Sequence, residues 1–255
     1  MTPDPLAWLE SLEGVPSAFA AARDGIDVLL RDRGLRRTSP EMTAESLLRG
    51  AHASAVLEGS GSSLAELRDG TGDDVGQASL RVSTELLAFA PALGRSPAQA
   101  LARIHALAAA GSLPDDRLGR PRDAEAADRL QGVARVMLTS TSVPALMVAA
   151  IVHADLVAAA PFASHNGIVA RAAERLLLVA RGVDEKSLVV PEAGHLALRA
   201  AYESNLRGYR DGGQAGVHAW LLYAAEAYAA GAEASPLRHA SGTRFETDSD
   251  AAADT

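Results

Sequence analysis

The chain has 255 residues, a net charge of −8 and no cysteine, so disulfides, thiolate metal sites and cysteine nucleophiles are excluded. Hydrophobic residues make up 48% and aromatics only 4%, so the core must be built of Ala, Leu and Val. Ala and Leu are strong helix formers, which makes the fold class all-α, and the acidic balance argues against a nucleic-acid partner.

In chain order, apolar spacing predicts helices at Leu6–Leu12 and Ser17–Arg33. A polar break at Arg36–Pro40 follows, then a helix from Thr43 to about Glu58. Gly59-Ser60-Gly61-Ser62 reads as a flexible stop to that helix. A short amphipathic turn, Ser63–Arg68, and a Gly/Asp-rich loop, Asp69–Asp74, complete an N-terminal region covering 1–74. From Val75 onward, helix follows helix: Val75–Phe89, Pro97–Ala110, Asp123–Thr139, Pro144–Ala159, Ile168–Arg181, Glu192–Tyr209 and Gly216–Glu233. Pro97 and Pro144 sit near helix starts, where proline is well tolerated. This core covers 75–233, and the polar, acid-bearing segment 234–255 reads as a disordered tail.

No apolar run reaches the about 18 residues of a membrane span. Val143–Ala163 comes nearest and is interrupted by Pro144, His153, Asp155 and Pro161, so no membrane association is expected. With no cysteine and no charged-then-apolar leader at Met1-Thr-Pro-Asp-Pro5, a cytoplasmic location is expected.

The most informative stretch is Ala160-Pro-Phe-Ala-Ser-His-Asn-Gly-Ile-Val-Ala-Arg171, a turn between two apolar helices. A turn ending in Asn-Gly at a helix N-terminus can aim several backbone N–H groups at one anion, with the helix dipole adding to the attraction. Asn166, Gly167, Arg171 and His165 are therefore the candidate phosphate or nucleotide ligands. The alternative role is a helix cap, with Asn166 as the capping residue.

This stretch resembles the core motif of the Fic family, His-Pro-Phe-x-Asp/Glu-Gly-Asn-Gly-Arg-x-x-Arg, whose members typically transfer AMP from ATP to protein hydroxyls. Pro161, Phe162, Asn166, Gly167 and Arg171 match the motif. Ala160 stands where the family has its general-base histidine, Ser164 where it has a metal-binding carboxylate, His165 at its first glycine and Ile168 at its first arginine. Upstream, Ser54-Ala-Val-Leu-Glu58-Gly59 is similar to the family's inhibitory-helix pattern, Ser/Thr-x-x-x-Glu-Gly/Asn. That likeness implies that a helix at about 43–59 docks on the site and pairs Glu58 with Arg171. Gly119-Arg120-Pro121-Arg122 resembles the family's Gly-x-x-Arg loop, and Tyr202, Tyr209, Trp220 and Tyr223 its C-terminal helices.

The resemblance implies a Fic/Fido-like bundle with an N-terminal helical extension, ATP as the ligand, and homodimerisation through helical faces. The departures imply a degenerate member that lacks AMP transfer and acts as a regulatory or binding module toward an unidentified protein partner. Weak ATP binding without tight Mg²⁺ is expected, because magnesium prefers anionic oxygen ligands. No other metal site is expected, since the seven histidines are scattered in sequence. An alanine cannot accept a proton; the nearest imidazoles are His165, on the turn, and His153, about 10 Å back along the helix. One alternative is a protein adenylyltransferase-like enzyme that moves a nucleotide or phosphate-containing group with His165 assisting. Another is a ligand-free helical scaffold. Phe162 is expected to pack beneath the turn, Arg120 and Arg122 to be solvated, and Glu58 with Arg171 to form either an inhibitory or a purely structural pair.

Overall fold

A computed structural model describes residues 4–31 and 39–238; of the expected break at Arg36–Pro40 only Ser39 and Pro40 are described, Pro40 already opening a helix, and the part of the expected tail from 239 onward lies outside the described residues. Among the described residues there are twelve α-helices and no β-strand. They are α1 (Val15–Arg31), α2 (Pro40–Leu57), α3 (Leu64–Arg68), α4 (Asp74–Glu85), α5 (Ala90–Leu93), α6 (Pro97–Ala109), α7 (Ala124–Leu138), α8 (Ala145–Ala159), α9 (Asn166–Ala180), α10 (Pro191–Ala197), α11 (Arg199–Asp211) and α12 (Gly213–Glu233). No helix of the described residues is long and apolar enough to cross a membrane.

Helix α8 is apolar all round and buried on every side, as a helix at the centre of a bundle must be. It packs antiparallel against α9, with α1, α7, α11 and α12 around the pair. Helix α9 is buried too, but it carries Arg171, Glu174 and Arg175 into the interior, each satisfied by partners described below. Helix α2 lies across α4, α9 and α10 and buries only small residues, among them Ser46, Gly50, Ala51 and Ser54.

Several boundaries differ from the sequence expectation. The segment Leu6–Leu12 contains a 3-10 turn, Ala7–Ser11, that buries Leu9. Helix 75–89 stops at Glu85 and continues as a 3-10 turn over Leu86–Phe89, ahead of Pro91, which lacks the N–H a continuing α-helix needs. The expected helix over 192–209 is broken at Leu198, without any Gly or Pro to mark it. Gly194 rests directly on the α12 backbone, where a Cβ would overlap the Ala227 carbonyl, so α12 fixes the direction of α10 independently of α11.

The Gly59–Ser62 segment is not a loose linker. Ser60 and Ser62 are buried, and both bond Asp73 at the start of α4: Ser60 Oγ donates to its carboxylate at 2.8 Å, and the Asp73 N–H donates to Ser62 Oγ at 2.8 Å. At the other end, residues 235–238 extend the packed structure past Glu233, with Ser235 and Leu237 buried.

Candidate functional site

The 160–165 turn is built by two residues in left-handed backbone conformation, Ala160 (φ 41°) closing α8 and His165 (φ 57°) opening α9. Non-glycine residues adopt this region at a cost of about 1–2 kcal/mol, so the surrounding contacts must impose it. Asn166 supplies two of them: its Oδ1 accepts from the Phe162 N–H at 3.0 Å and its Nδ2 donates to the Phe162 carbonyl at 2.9 Å. It therefore clamps the turn, while the capping position belongs to His165. Phe162 is buried and stacks face to face on His105, with ring centroids 4.2 Å apart.

The 119–122 loop holds the turn from outside. Arg122 donates to the Ala160 carbonyl at 2.7 Å, and its N–H donates to the Pro161 carbonyl at 2.9 Å. Arg122 thus clamps the turn although, like Arg120, it is exposed to solvent. The Gly119 N–H donates to His105 Nδ1 at 3.0 Å, which leaves the proton on His105 Nε2, buried and without a partner among the described residues. Burial, with His165 nearby, pushes the His105 pKa down to about 4, so this ring is neutral. His105 carries no motif signature; only its place on the apolar face of α6 hinted at a core role.

Above the turn lies a cleft of about 350 Å³, lined in part by Glu58, Ala160, His165, Gly167, Arg171 and Tyr202. Arg171 is 2% exposed and commits four of its five N–H donors: Nε donates to Ser54 Oγ at 2.9 Å, Nη2 to the Ser54 carbonyl at 3.2 Å and to Glu58 Oε1 at 2.7 Å, and Nη1 to Tyr202 Oη at 3.2 Å. The Glu58 carboxylate sits over Gly167 so closely that a Cβ there would overlap Oε1. The position offered to an anion at the N-terminus of α9 is thus filled by a carboxylate of the chain itself.

Two residues at altered motif positions, Ile168 and Ser164, are not among the lining residues of the cleft. Ile168 is 2% exposed and points between α4 and α9, toward Val82 and Leu86. Ser164 Oγ shares a 2.7 Å hydrogen bond with His165 Nδ1. His165 is half-buried, and burial lowers its pKa, aided by Arg81 and opposed by Glu58. Ser164 offers Mg²⁺ a neutral hydroxyl already in use, and Glu58, the carboxylate lining the cleft, is paired with Arg171; this donor set does not fit a magnesium ion.

Behind Arg171 runs a buried network that the sequence did not reveal. Tyr202 Oη lies 3.0 Å from His153 Nε2, and His153 Nδ1 lies 2.7 Å from Glu174 Oε2. His195 Nε2 approaches the same oxygen at 2.9 Å, its Nδ1 meets Tyr223 Oη at 2.7 Å, and Tyr228 Oη donates to Glu174 Oε1 at 2.8 Å. His153 and His195, 42 residues apart in sequence, are thus brought to one carboxylate. The two imidazoles and the carboxylate have the composition of a metal site, but hydrogen-bonded tautomers satisfy every group. Both rings donate to Glu174, and both tyrosine hydroxyls donate to the opposite ring nitrogens, which leaves a Tyr202 lone pair for Arg171. A metal would reverse both tautomers and leave the buried Tyr202 proton without its imidazole acceptor. Burial alone would raise the Glu174 carboxyl, but His153 and His195 hold it well below the usual carboxylate range. Burial pushes His153 down to about 4 against the pull of Glu174, so it is neutral.

Solved structures share this fold. A Fic family protein from Desulfovibrio desulfuricans G20 superposes with a TM-score of 0.71 at 17% identity, covering 91% of this chain and 75% of its own. The fold is Fic-like. Fic-1 from C. elegans matches the same fold with a TM-score of 0.69 at 17% identity, over 90% of this chain and 73% of its own. A single-residue variant of that protein gives 0.62 at 19% identity, over 88% and 72%. No protein-family model and no curated protein matches the sequence. Within this fold Glu58, at the C-cap of α2, meets Arg171 on α9 at 2.7 Å.

Proposed function

We propose that this Fic-fold protein does not transfer AMP and serves as a binding or regulatory module with weak nucleotide affinity at Asn166, Gly167 and Arg171. The observation that carries this reading is Ala160, which lines the cleft and stands at the motif position of the family's general-base histidine, where a hydroxyl acceptor would need a base. His153 does not replace it, because it is buried with both ring nitrogens committed, to Glu174 and Tyr202. His165 lines the cleft with only Nδ1 committed, to Ser164, and the alternative reading of a transferase assisted by His165 rests on its other nitrogen.

Weak affinity follows from occupancy. A phosphate at the α9 N-terminus must displace the Glu58 carboxylate from Arg171 and Gly167, and it finds no second carboxylate in the donor set to hold Mg²⁺. His165 adds a side chain at the rim of the same cleft. The protein partner of such a module would be recognised outside this occupied subsite.

The test is incubation of the Glu58→Ala protein with α-labelled ATP and Mg²⁺, because removing Glu58 separates loss of chemistry from mere blockade. No label on any protein is the expected result. Label transfer that disappears in an Arg171→Met variant would overturn the proposal.

A further inference from the structure

Helices α2, α4, α9 and α10 meet around a second, much smaller cavity of about 10 Å³, which shares no lining residue with the cleft. Ile168 forms part of its apolar wall, and Ser54, Ser79, Ser83 and Glu192 form its polar one. Ser79 Oγ is the decisive group. The residue is 1% exposed, and its hydroxyl has no hydrogen-bond partner among the described residues. A helical hydroxyl can turn back to the carbonyl four residues earlier, as Thr84 on the same helix does to Leu80 at 2.9 Å. Ser79 does not, and lines the cavity instead.

The other polar groups of the wall have hydrogen-bonding capacity to spare. Ser54 Oγ accepts from Arg171 Nε at 2.9 Å, which leaves the Ser54 proton to be donated elsewhere. Glu192 pairs with Arg175 Nη1 through Oε2 at 2.9 Å, which leaves the lone pairs of Oε1. Arg175 is held besides by Ser46 and Ser187, so this ion pair is fixed in place. Ser83, one turn beyond Ser79, brings a second buried hydroxyl from α4.

We propose that this cavity is the binding site of one water molecule, which bonds Ser79 and joins it to Ser54 and Glu192, linking α4 through solvent to the side chains that hold Arg171 and Arg175. Size, charge and polarity each select water. A cavity of about 10 Å³ has room for one water molecule and nothing larger. A cation would bring an uncompensated charge into the interior, because Arg175 already balances Glu192. An apolar cavity of this kind would stay dry, but one that offers two to four polar partners holds water. The two water protons suit Glu192 Oε1 and a serine oxygen, and its lone pairs accept the hydroxyl protons that have no other destination.

The experiment is a crystal structure of the full chain at a resolution that shows ordered solvent, together with NMR transfer of magnetisation from bound water to the backbone N–H groups of Ser79 and Ser83. One solvent peak is expected about 2.5–3.0 Å from Ser79 Oγ and from Ser54 Oγ or Glu192 Oε1. Matching water cross-peaks are expected in solution. Ser79→Val, whose methyl groups take up the space, is expected to abolish both. Should that variant not fold, Ser79→Ala removes one partner without filling the cavity and is expected to weaken the cross-peaks. Absence of a peak within reach of Ser79 in the parent, a peak at the about 2.0–2.6 Å contacts of a metal ion, or cross-peaks unchanged in the Ser79 variants overturns the inference.

Discussion

The Glu58–Arg171 pair is asymmetric, and the asymmetry sets the sign of a mutational comparison. Arg171 is 2% exposed and makes four hydrogen bonds, three of them to Ser54 and Tyr202. Replacing it with Met leaves the buried Ser54 carbonyl and both hydroxyls each short of a donor, while the Glu58 carboxylate, 30% exposed, can take up water. Each buried acceptor left short of a donor costs about 1–3 kcal/mol, so the three together cost about 3–5 kcal/mol once the other partners they retain are allowed for. Glu58→Gln keeps the shape and a hydrogen-bond acceptor for Arg171, which retains its other three bonds. A partly exposed pair of this kind contributes only about 1 kcal/mol. Arg171→Met is therefore expected to lower Tm by about 6–20 °C, and Glu58→Gln by about 2–4 °C, at the 2–4 °C per kcal/mol appropriate to this size. Chemical denaturation at neutral pH, with matched m-values, checks the ordering. An Arg171→Met variant costing less than about 1 kcal/mol, or a Glu58→Gln variant costing more than Arg171→Met, would refute the view that Arg171 belongs to the core and Glu58 to the cleft.

Gly167→Ala places a methyl group on the Glu58 carboxylate, and a crystal structure of the variant should show Glu58 moved off Arg171 by more than a hydrogen-bond length. Asn166→Ala removes both bonds to Phe162 and should cost about 1–3 kcal/mol in equilibrium unfolding. His165→Gly relieves a left-handed residue and should stabilise by about 0.5–1 kcal/mol, less than the full strain because glycine gains freedom when unfolded. Acid should destabilise the fold well above the carboxylate range. His105 and His153 stay neutral in the native state down to about 4, whereas the unfolded chain binds their protons near 6.5. Stability is thus complete above pH 6.5 and falls as pH drops from 6.5 toward 4, on the order of 2–3 kcal/mol per histidine. Glutamine at either position should flatten that part of a stability–pH curve.

The amino-acid sequence by itself determined the helical class and most helix positions, because helical periodicity and turn chemistry are local properties that one segment expresses alone; the two ends of the Glu58–Arg171 contact came instead from the resemblance of two short motifs to the Fic family. It also placed the 160–171 turn, since Asn-Gly between two apolar helices leaves the backbone few other conformations. Only the tertiary structure decided what fills the site. A free anion subsite and an occupied one have the same sequence at Asn166 and Gly167; the difference is a carboxylate 109 residues away from Gly167 along the chain. Gly59–Ser62 read as a loose linker because its partner, Asp73, acts through side chains across space. The histidines looked scattered because His153, Glu174 and His195 sit on three different helices, and no spacing along one chain encodes where separate helices cross. Arg175 could not be told from a surface arginine until α2 and Glu192 were seen to enclose it. Local rules fix which segments become helices, whereas burial, which depends on every helix at once, fixes which polar groups must find partners and therefore which of them remain free to act.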